Sequence, residues 1–177
     1  MSTTTSNAFT VDDLDALPDD GHRHELIGGA IVVTPAPAPV HQRVVVRLLN
    51  LLQDVCPPGH EVFVAPVDYD LPAGHRVEPD LVMVPDATVG EQRLAGPALL
   101  VVEVVSPGSR TNDRVTKAAL YAEAGIPAYW IVDPAAGRLT ALRLAGSGYE
   151  TYADATGPVV LDWPVAVTFD VGDLSRR

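Results

Sequence analysis

Lysine is almost missing from this chain: of twelve basic residues, eleven are arginine and one, Lys117, is lysine. Arginine serves ion pairs and phosphate contacts, whereas a compact ammonium on a flexible stem can shift its pKa and handle a proton. The scarcity excludes a lysine-rich surface and singles out one position for chemistry, against the plainer alternative of drift toward arginine with one survivor. Cysteine is equally scarce. Cys56 stands alone, which excludes an intramolecular disulfide, and its place beside Pro57 and Pro58 reads as structural. No apolar run approaches the roughly 20 residues that span a bilayer, so no membrane partner is expected. The N-terminus has neither a basic start nor an apolar core, so no signal peptide is expected either. Positive charge is also short, with 12 basic residues against 23 acidic and a net charge of −11. That balance argues against binding nucleic acid by phosphate neutralisation. Carboxylates that hold metal ions count as negative in the same sum, however, and bound cations reverse the local sign. Together these features point to a cytoplasmic protein. His22, His24, His60 and His75 are scattered without zinc-ligand spacing, which rejects a zinc site. Ser106 and Ser109 lack the context of a nucleophile elbow.

What is present is a chain of 177 residues, nearly half of them apolar, enough for one globular domain with a real core. We expect a disordered tail over residues 1–9 and a single domain over 10–177. Thr10 to Leu17 reads as a short helix with Thr10 as its N-cap. Gly28-Gly29 between two apolar stretches is a hairpin signal. Ala36 to Pro39 reads as an extended connector. His41 to Asp54 has helical spacing, with apolar residues at 44, 45, 48, 51, 52 and 55, and Arg43 and Arg47 one turn apart on the polar face. Strands are expected over 61–68, 77–84 and 98–105. A helix follows from about Asn112 to Ala124, stopped by Gly125 and Pro127. Ala128 to Val132 is a buried strand, and Arg138 to Leu144 alternates as a half-buried one. The pattern is α/β: a mixed sheet with a helix on each side and additional hairpins.

Three residues carry the chemistry. Glu103 interrupts the apolar run Leu99-Leu-Val-Val-Glu-Val-Val105, and a buried carboxylate must be neutralised, paired or bound to metal. Asp80 follows Pro79 at the entry to the preceding strand; alone, Pro-Asp is no more than a turn dipeptide. Consecutive strands are often neighbours, and two adjacent carboxylates repel unless one is protonated or a cation lies between them. Hard oxygen donors of this kind suit Mg²⁺ or Mn²⁺. Lys117, one turn into the helix after Glu103, has the reach to meet them. The alternative for Lys117 is a surface pair with Asp113, worth about 0.3–0.5 kcal/mol. Glu25 and His41 are ambiguous from the residues alone, and Glu25 reads more readily as a surface residue.

Pro79-Asp80 followed by Glu103-Val-Val resembles the PD-(D/E)xK nuclease superfamily. The wider pattern is similar to the Uma-two family of restriction-endonuclease-like proteins. It comprises His24-Glu-Leu-Ile-Gly-Gly, His41-Gln, Val77-Glu-Pro-Asp-Leu, Val101-Val-Glu-Val-Val-Ser-Pro, then Asp113, Lys117, Tyr121 and Gly125-Ile-Pro-Ala-Tyr-Trp-Ile-Val-Asp-Pro. It covers roughly residues 10–145. The resemblance implies a restriction-endonuclease-like fold and a metal-dependent endonuclease acting on nucleic acid, with DNA ahead of RNA, as a homodimer. It implies Asp80, Glu103 and the backbone carbonyl of Val104 as ligands of Mg²⁺ or Mn²⁺. It implies Glu25 as a further acidic residue and Lys117 as the catalytic lysine. His41, Arg43, Arg114 and Tyr121 become candidates for substrate contact, with Arg47 and Arg110 as further phosphate-facing charges. Two positions depart from the pattern. The usual lysine position, two residues after the glutamate, is Val105, and Ala30 stands where relatives often carry an acid. The competing classes are a non-catalytic interaction protein on the same fold and a metal-dependent hydrolase of a small phosphorylated molecule.

Overall fold

A computed structural model describes residues 8–18, 20–106 and 112–177, the side chains of 112–114 excepted. Thr10 caps the first helix, α1 (Val11–Asp15), through a reciprocal capping box with Asp13. Phe9, expected in the tail, donates its backbone N–H to the Gly29 carbonyl at 2.9 Å. The hairpin forms as anticipated. Strands β1 (Arg23–Ile27) and β2 (Ala30–Thr34) pair in register from Arg23↔Thr34 to Ile27↔Ala30, closed by Gly28 and Gly29 at φ 60° and 75°. Both glycines sit in the left-handed region that this two-residue turn requires.

Pro39, expected in the extended connector, is instead the first residue of helix α2 (Pro39–Asp54). Proline suits that position because its fixed φ is helical and its missing N–H has no intrahelical partner there. Val44, Val45, Leu48 and Leu52 form the buried stripe of α2, and each fully buried aliphatic side chain contributes about 1.5–3 kcal/mol before ordering entropy is subtracted.

The expected strand over 77–84 is two strands in different sheets. Strand β3 (His60–Val64) precedes β4 (Tyr69–Leu71), β5 (His75–Val77) and β6 (Leu81–Pro85), and Glu78-Pro79-Asp80 carries the chain from β5 to β6. Pro79 cannot donate to a ladder, which suits a break between sheets. After β7 (Leu94–Ala95) and β8 (Leu100–Val104) comes a π-helical turn (Asn112–Lys117) that continues as α3 (Ala118–Glu123). Strands β9 (Ala128–Asp133), β10 (Arg138–Ala145) and β11 (Gly148–Ala155) follow. The hairpin β12 (Pro158–Leu161) and β13 (Val167–Asp170) and the short helix α4 (Val171–Ser175) end the chain's regular structure.

Among the described residues the central sheet has six strands in the order β11-β10-β9-β8-β6-β3, parallel only between β8 and β9. A five-stranded sheet, β2-β1-β5-β4-β7, lies beside it. Side-chain alternation divides the core between the two faces of the central sheet. Leu81, Met83, Leu100, Val102, Trp130 and Val132 pack with α2 and α4. Val82, Val84, Val101, Val105, Tyr129 and Ile131 pack with Tyr121 of α3 and with Tyr69 and Val77 of the smaller sheet. Among the described residues no helix is long and apolar enough to cross a membrane.

Candidate active site

Arg23 and Glu25 stand two apart on β1 and so share one face of the strand. The N–H of Glu78, in the crossing segment, donates to Glu25 Oε1 at 2.9 Å, which draws the β1 carboxylate toward the start of β6. Asp80 stands at that start. Because β6 pairs antiparallel with β8, Asp80 faces the end of β8, where its Oδ2 accepts the Val104 N–H at 2.7 Å. Glu103, next to last in β8, shares the strand face of Val101, which packs under α3. The π-helical turn delivers Lys117 to the same place, and Tyr121 follows one turn later.

The side chains converge. Lys117 Nζ lies 2.8 Å from Glu25 Oε1 and 2.9 Å from Glu103 Oε1. The Tyr121 hydroxyl donates to the same Glu103 oxygen at 2.7 Å. His41 Nε2, from the first turn of α2, meets Asp80 Oδ2 at 3.2 Å. Arg23 completes the set. Its Nη1 donates to Asp80 Oδ1 at 3.2 Å, its Nη2 to Glu25 Oε1 at 3.1 Å, and Nη2 lies 3.8 Å from Glu103 Oε2. Lys117, Glu25, Asp80 and Glu103 are all buried. Glu25, more readily a surface residue from its local sequence, is thus a core carboxylate. Sheet pairing with β5 and the contact with Lys117 decide this, and neither is local.

The electrostatics follow from burial opposed by pairing. Burial pushes the Asp80 carboxyl up, but the hydrogen bond from His41, the charge of Arg23 and the Val104 N–H hold it below its ordinary value. Burial acts likewise on Glu25, where Lys117 and Arg23 outweigh it and the pKa is again lowered. His41 is pushed down by burial and raised more strongly by Asp80, so its net shift is upward. Burial and the neighbouring Glu103 raise Tyr121 well above its usual value, keeping its hydroxyl a donor. Glu78, buried beside the cluster, is raised by that burial.

The donor chemistry fits a hard divalent cation. Asp80 and Glu103 offer carboxylate oxygens to a shared space, and that space already accommodates a positive charge, the Arg23 guanidinium. Among the described residues, no group of three or more histidine, cysteine, aspartate or glutamate side chains is placed to hold an ion.

Other expected contacts fall elsewhere. Arg43 donates to the Ser175 carbonyl at 3.3 Å and Arg47 to the Asp173 carbonyl, so both bind α2 to α4 rather than facing the carboxylates. Residue 43 is about 200° around the helix from His41, which explains the divergence. Arg110 lies outside the described residues, as do the side chains of Asp113 and Arg114. Val105, at the usual lysine position, is buried among apolar side chains. A cavity of about 490 Å³ opens beside the cluster, lined by His41, Val104, Val105, Ser106 and the segment 32–38. A larger one, about 590 Å³, lies against α2 and α4 and is not lined by any member of the cluster. Arg23 and Glu78 were not anticipated as site residues. The signal for Arg23 was its two-residue spacing from Glu25, and for Glu78 its position two before Asp80.

The family model described as "Uma2: Putative restriction endonuclease" matches residues 11–170. A crystal structure from Anabaena variabilis, described as "a putative nuclease belonging to DUF820", superposes with a TM-score of 0.75 at 22% sequence identity. The match covers 94% of this chain and 97% of that one, and at this identity it shows a shared fold. No curated protein matches.

Proposed function

Because the chain belongs to the Uma2 family, whose description is "Putative restriction endonuclease", we propose that it is an endonuclease that hydrolyses phosphodiester bonds with the help of Mg²⁺ or Mn²⁺. One observation carries this reading: the only lysine of the chain reaches two buried carboxylates, Glu25 and Glu103, which Arg23 links to a third, Asp80. In this reading Asp80, Glu103 and the Val104 carbonyl hold the ion. When bound, it would lower the pKa of water and offset charge on the phosphoryl oxygens.

The chain's own groups have distinct tasks. In hydrolysis the oxygen of water bonds to phosphorus, the bond to the leaving sugar oxygen breaks, and that oxygen gains a proton. The Lys117 ammonium, fixed by Glu25 and Glu103, sets a positive charge beside the water and the developing negative charge. Tyr121 orients Glu103 by donating to it, and His41 orients Asp80. DNA as substrate and a homodimer belong to the same reading as expectations from the family resemblance, and a cytoplasmic setting as one from composition. A second reading, a non-catalytic interaction protein on this fold, is favoured by the net charge of −11 and by the occupation of the carboxylate space by Arg23.

The two readings part in a cleavage assay on single- and double-stranded DNA and RNA with Mg²⁺, Mn²⁺ or EDTA. The nuclease reading expects metal-dependent cleavage, abolished in Asp80→Ala and Lys117→Ala, with folding checked by circular dichroism. Lys117→Arg keeps the charge, but its larger planar guanidinium cannot place it where the compact ammonium sits, and a misplacement of about 1 Å is expected to cost on the order of a hundredfold. Cleavage that persists unchanged in all three variants would remove this site from the reaction.

A further inference from the structure

Arg23 is the member of the cluster that the motif pattern does not include, yet it spans all three carboxylates. The way it is held is unusual. A guanidinium fixed for structure typically grips a carboxylate with two parallel bonds. The same chain does this at Arg138, whose Nε and Nη2 each lie 2.6 Å from one oxygen of Asp154. Arg23 makes only single-point contacts, at 3.1 Å, 3.2 Å and 3.8 Å, and its buried Nε has no partner among the described residues. It is also the most open member: its side chain is 20% exposed, against 1–5% for Lys117, Glu25, Asp80 and Glu103. Charge, not shape, keeps it in place.

We propose that Arg23 is an internal counter-cation seated between Asp80 and Glu103, and that its seat and a bound divalent cation exclude one another. The inference rests on the reading of Asp80 and Glu103 as metal ligands. Without a cation between them these carboxylates repel, and Arg23 supplies one. With an ion bound, a guanidinium in the same space would add like-charge repulsion while losing its partners. Arg23 then turns outward on β1 toward the solvent it already touches, and metal-free protein keeps a neutralised core at the cost of weaker metal binding.

Titration calorimetry with MnCl₂, without nucleic acid, tests this on wild type and Arg23→Gln. If the seat is open only about a tenth of the time in wild type, Arg23→Gln binds Mn²⁺ about tenfold more tightly. Its melting temperature in EDTA falls below that of wild type, and saturating Mn²⁺ narrows the gap. Equal or weaker Mn²⁺ binding by the variant overturns the proposal, as does absence of binding in both proteins. Should Arg23→Gln not fold, ¹⁵N-arginine-labelled wild type gives the same answer. Its Arg23 Nε–H resonance, assigned by its loss in Arg23→Lys, is expected to shift along the Mg²⁺ binding isotherm, and an unmoved resonance while Mg²⁺ binds overturns the proposal. The cleavage assay separates the two ideas. Metal-dependent cleavage with unchanged metal affinity in Arg23→Gln sinks the Arg23 assignment alone. Tighter metal binding without cleavage by wild type removes the nuclease reading and keeps Arg23 in its seat.

Discussion

An ammonium group with 1% exposure persists only inside a charge set, and Lys117 has one in Glu25 and Glu103. The set reaches Asp80 through Arg23 and ends at His41, whose neighbours in charge are Asp80, Arg23 and Glu103. The His41 pKa is raised above 6.5 because the hydrogen bond and charge of Asp80 outweigh burial. A raised value in the folded state means that the stability His41 contributes is fully present below 6.5 and is lost as pH rises through the folded value. Urea unfolding of wild type and His41→Gln should therefore differ most below pH 6 and converge toward pH 9. A gap that stays constant, or grows with pH, contradicts that linkage. At this scale Glu103 was legible in the sequence, because a carboxylate inside an apolar run has few physical options. Glu25 and Arg23 were not, because their two-residue spacing puts them on one face of the strand but does not say whether that face is buried or solvated.

The β1–β2 hairpin sets the position of two members of the cluster, Arg23 and Glu25. Its turn holds Gly28 and Gly29 at positive φ, and a Cβ on Gly29 would come within 2.6 Å of the Ala8 Cβ, whereas one on Gly28 meets nothing within 4 Å. Left-handed backbone costs an L-residue about 1–2 kcal/mol. Both alanine substitutions should lower stability by that order, and Gly29→Ala should lower it further by lifting the segment at Ala8. Urea midpoints that rank Gly28→Ala as the more damaging would contradict the packing at Ala8. Since a register slip would turn Arg23 and Glu25 to the opposite face, any loss of pairing should reach the site. The hairpin, α2 and the buried strands were readable because turn chemistry and hydrophobic period are local signals. The break at Glu78-Pro79-Asp80 was hidden because an apolar run does not say to which sheet it belongs. Pro39 was hidden because proline suits an extended connector and a helix start equally well.

For the whole molecule, an acidic surplus meets a proposed polyanionic substrate. Much of the basic charge is engaged internally. Arg76 and Arg93 pair with Asp15 and Asp70, Arg138 with Asp154, Arg43 and Arg47 with carbonyls near the C-terminus, and Arg143 lies over the rings of both Tyr152 and Trp163. Among the described side chains, the arginines left outside these pairings and away from the cluster are Arg176 and Arg177 at the C-terminus. Binding of the Lys117→Ala variant to duplex DNA, measured between about 50 and 200 mM salt, should therefore show a log–log slope of magnitude below about 3, since each neutralised phosphate adds roughly 0.9. A slope of about 6 or more would reveal a basic surface that these pairings do not leave. The primary structure alone determined the α/β class, the hairpin, the long helix and the rank of Asp80, Glu103 and Lys117 as the residues to watch. Each of those follows from composition, turn chemistry, period, the cost of a buried charge or, for Asp80, the repulsion between carboxylates on consecutive strands. Only the tertiary structure decided that Lys117 pairs with Glu25 as well as Glu103, that Arg43 serves α4, and that Arg23 sits among the carboxylates. Those are meetings between residues far apart in the chain, created when two sheets and a π-helical turn close over one space.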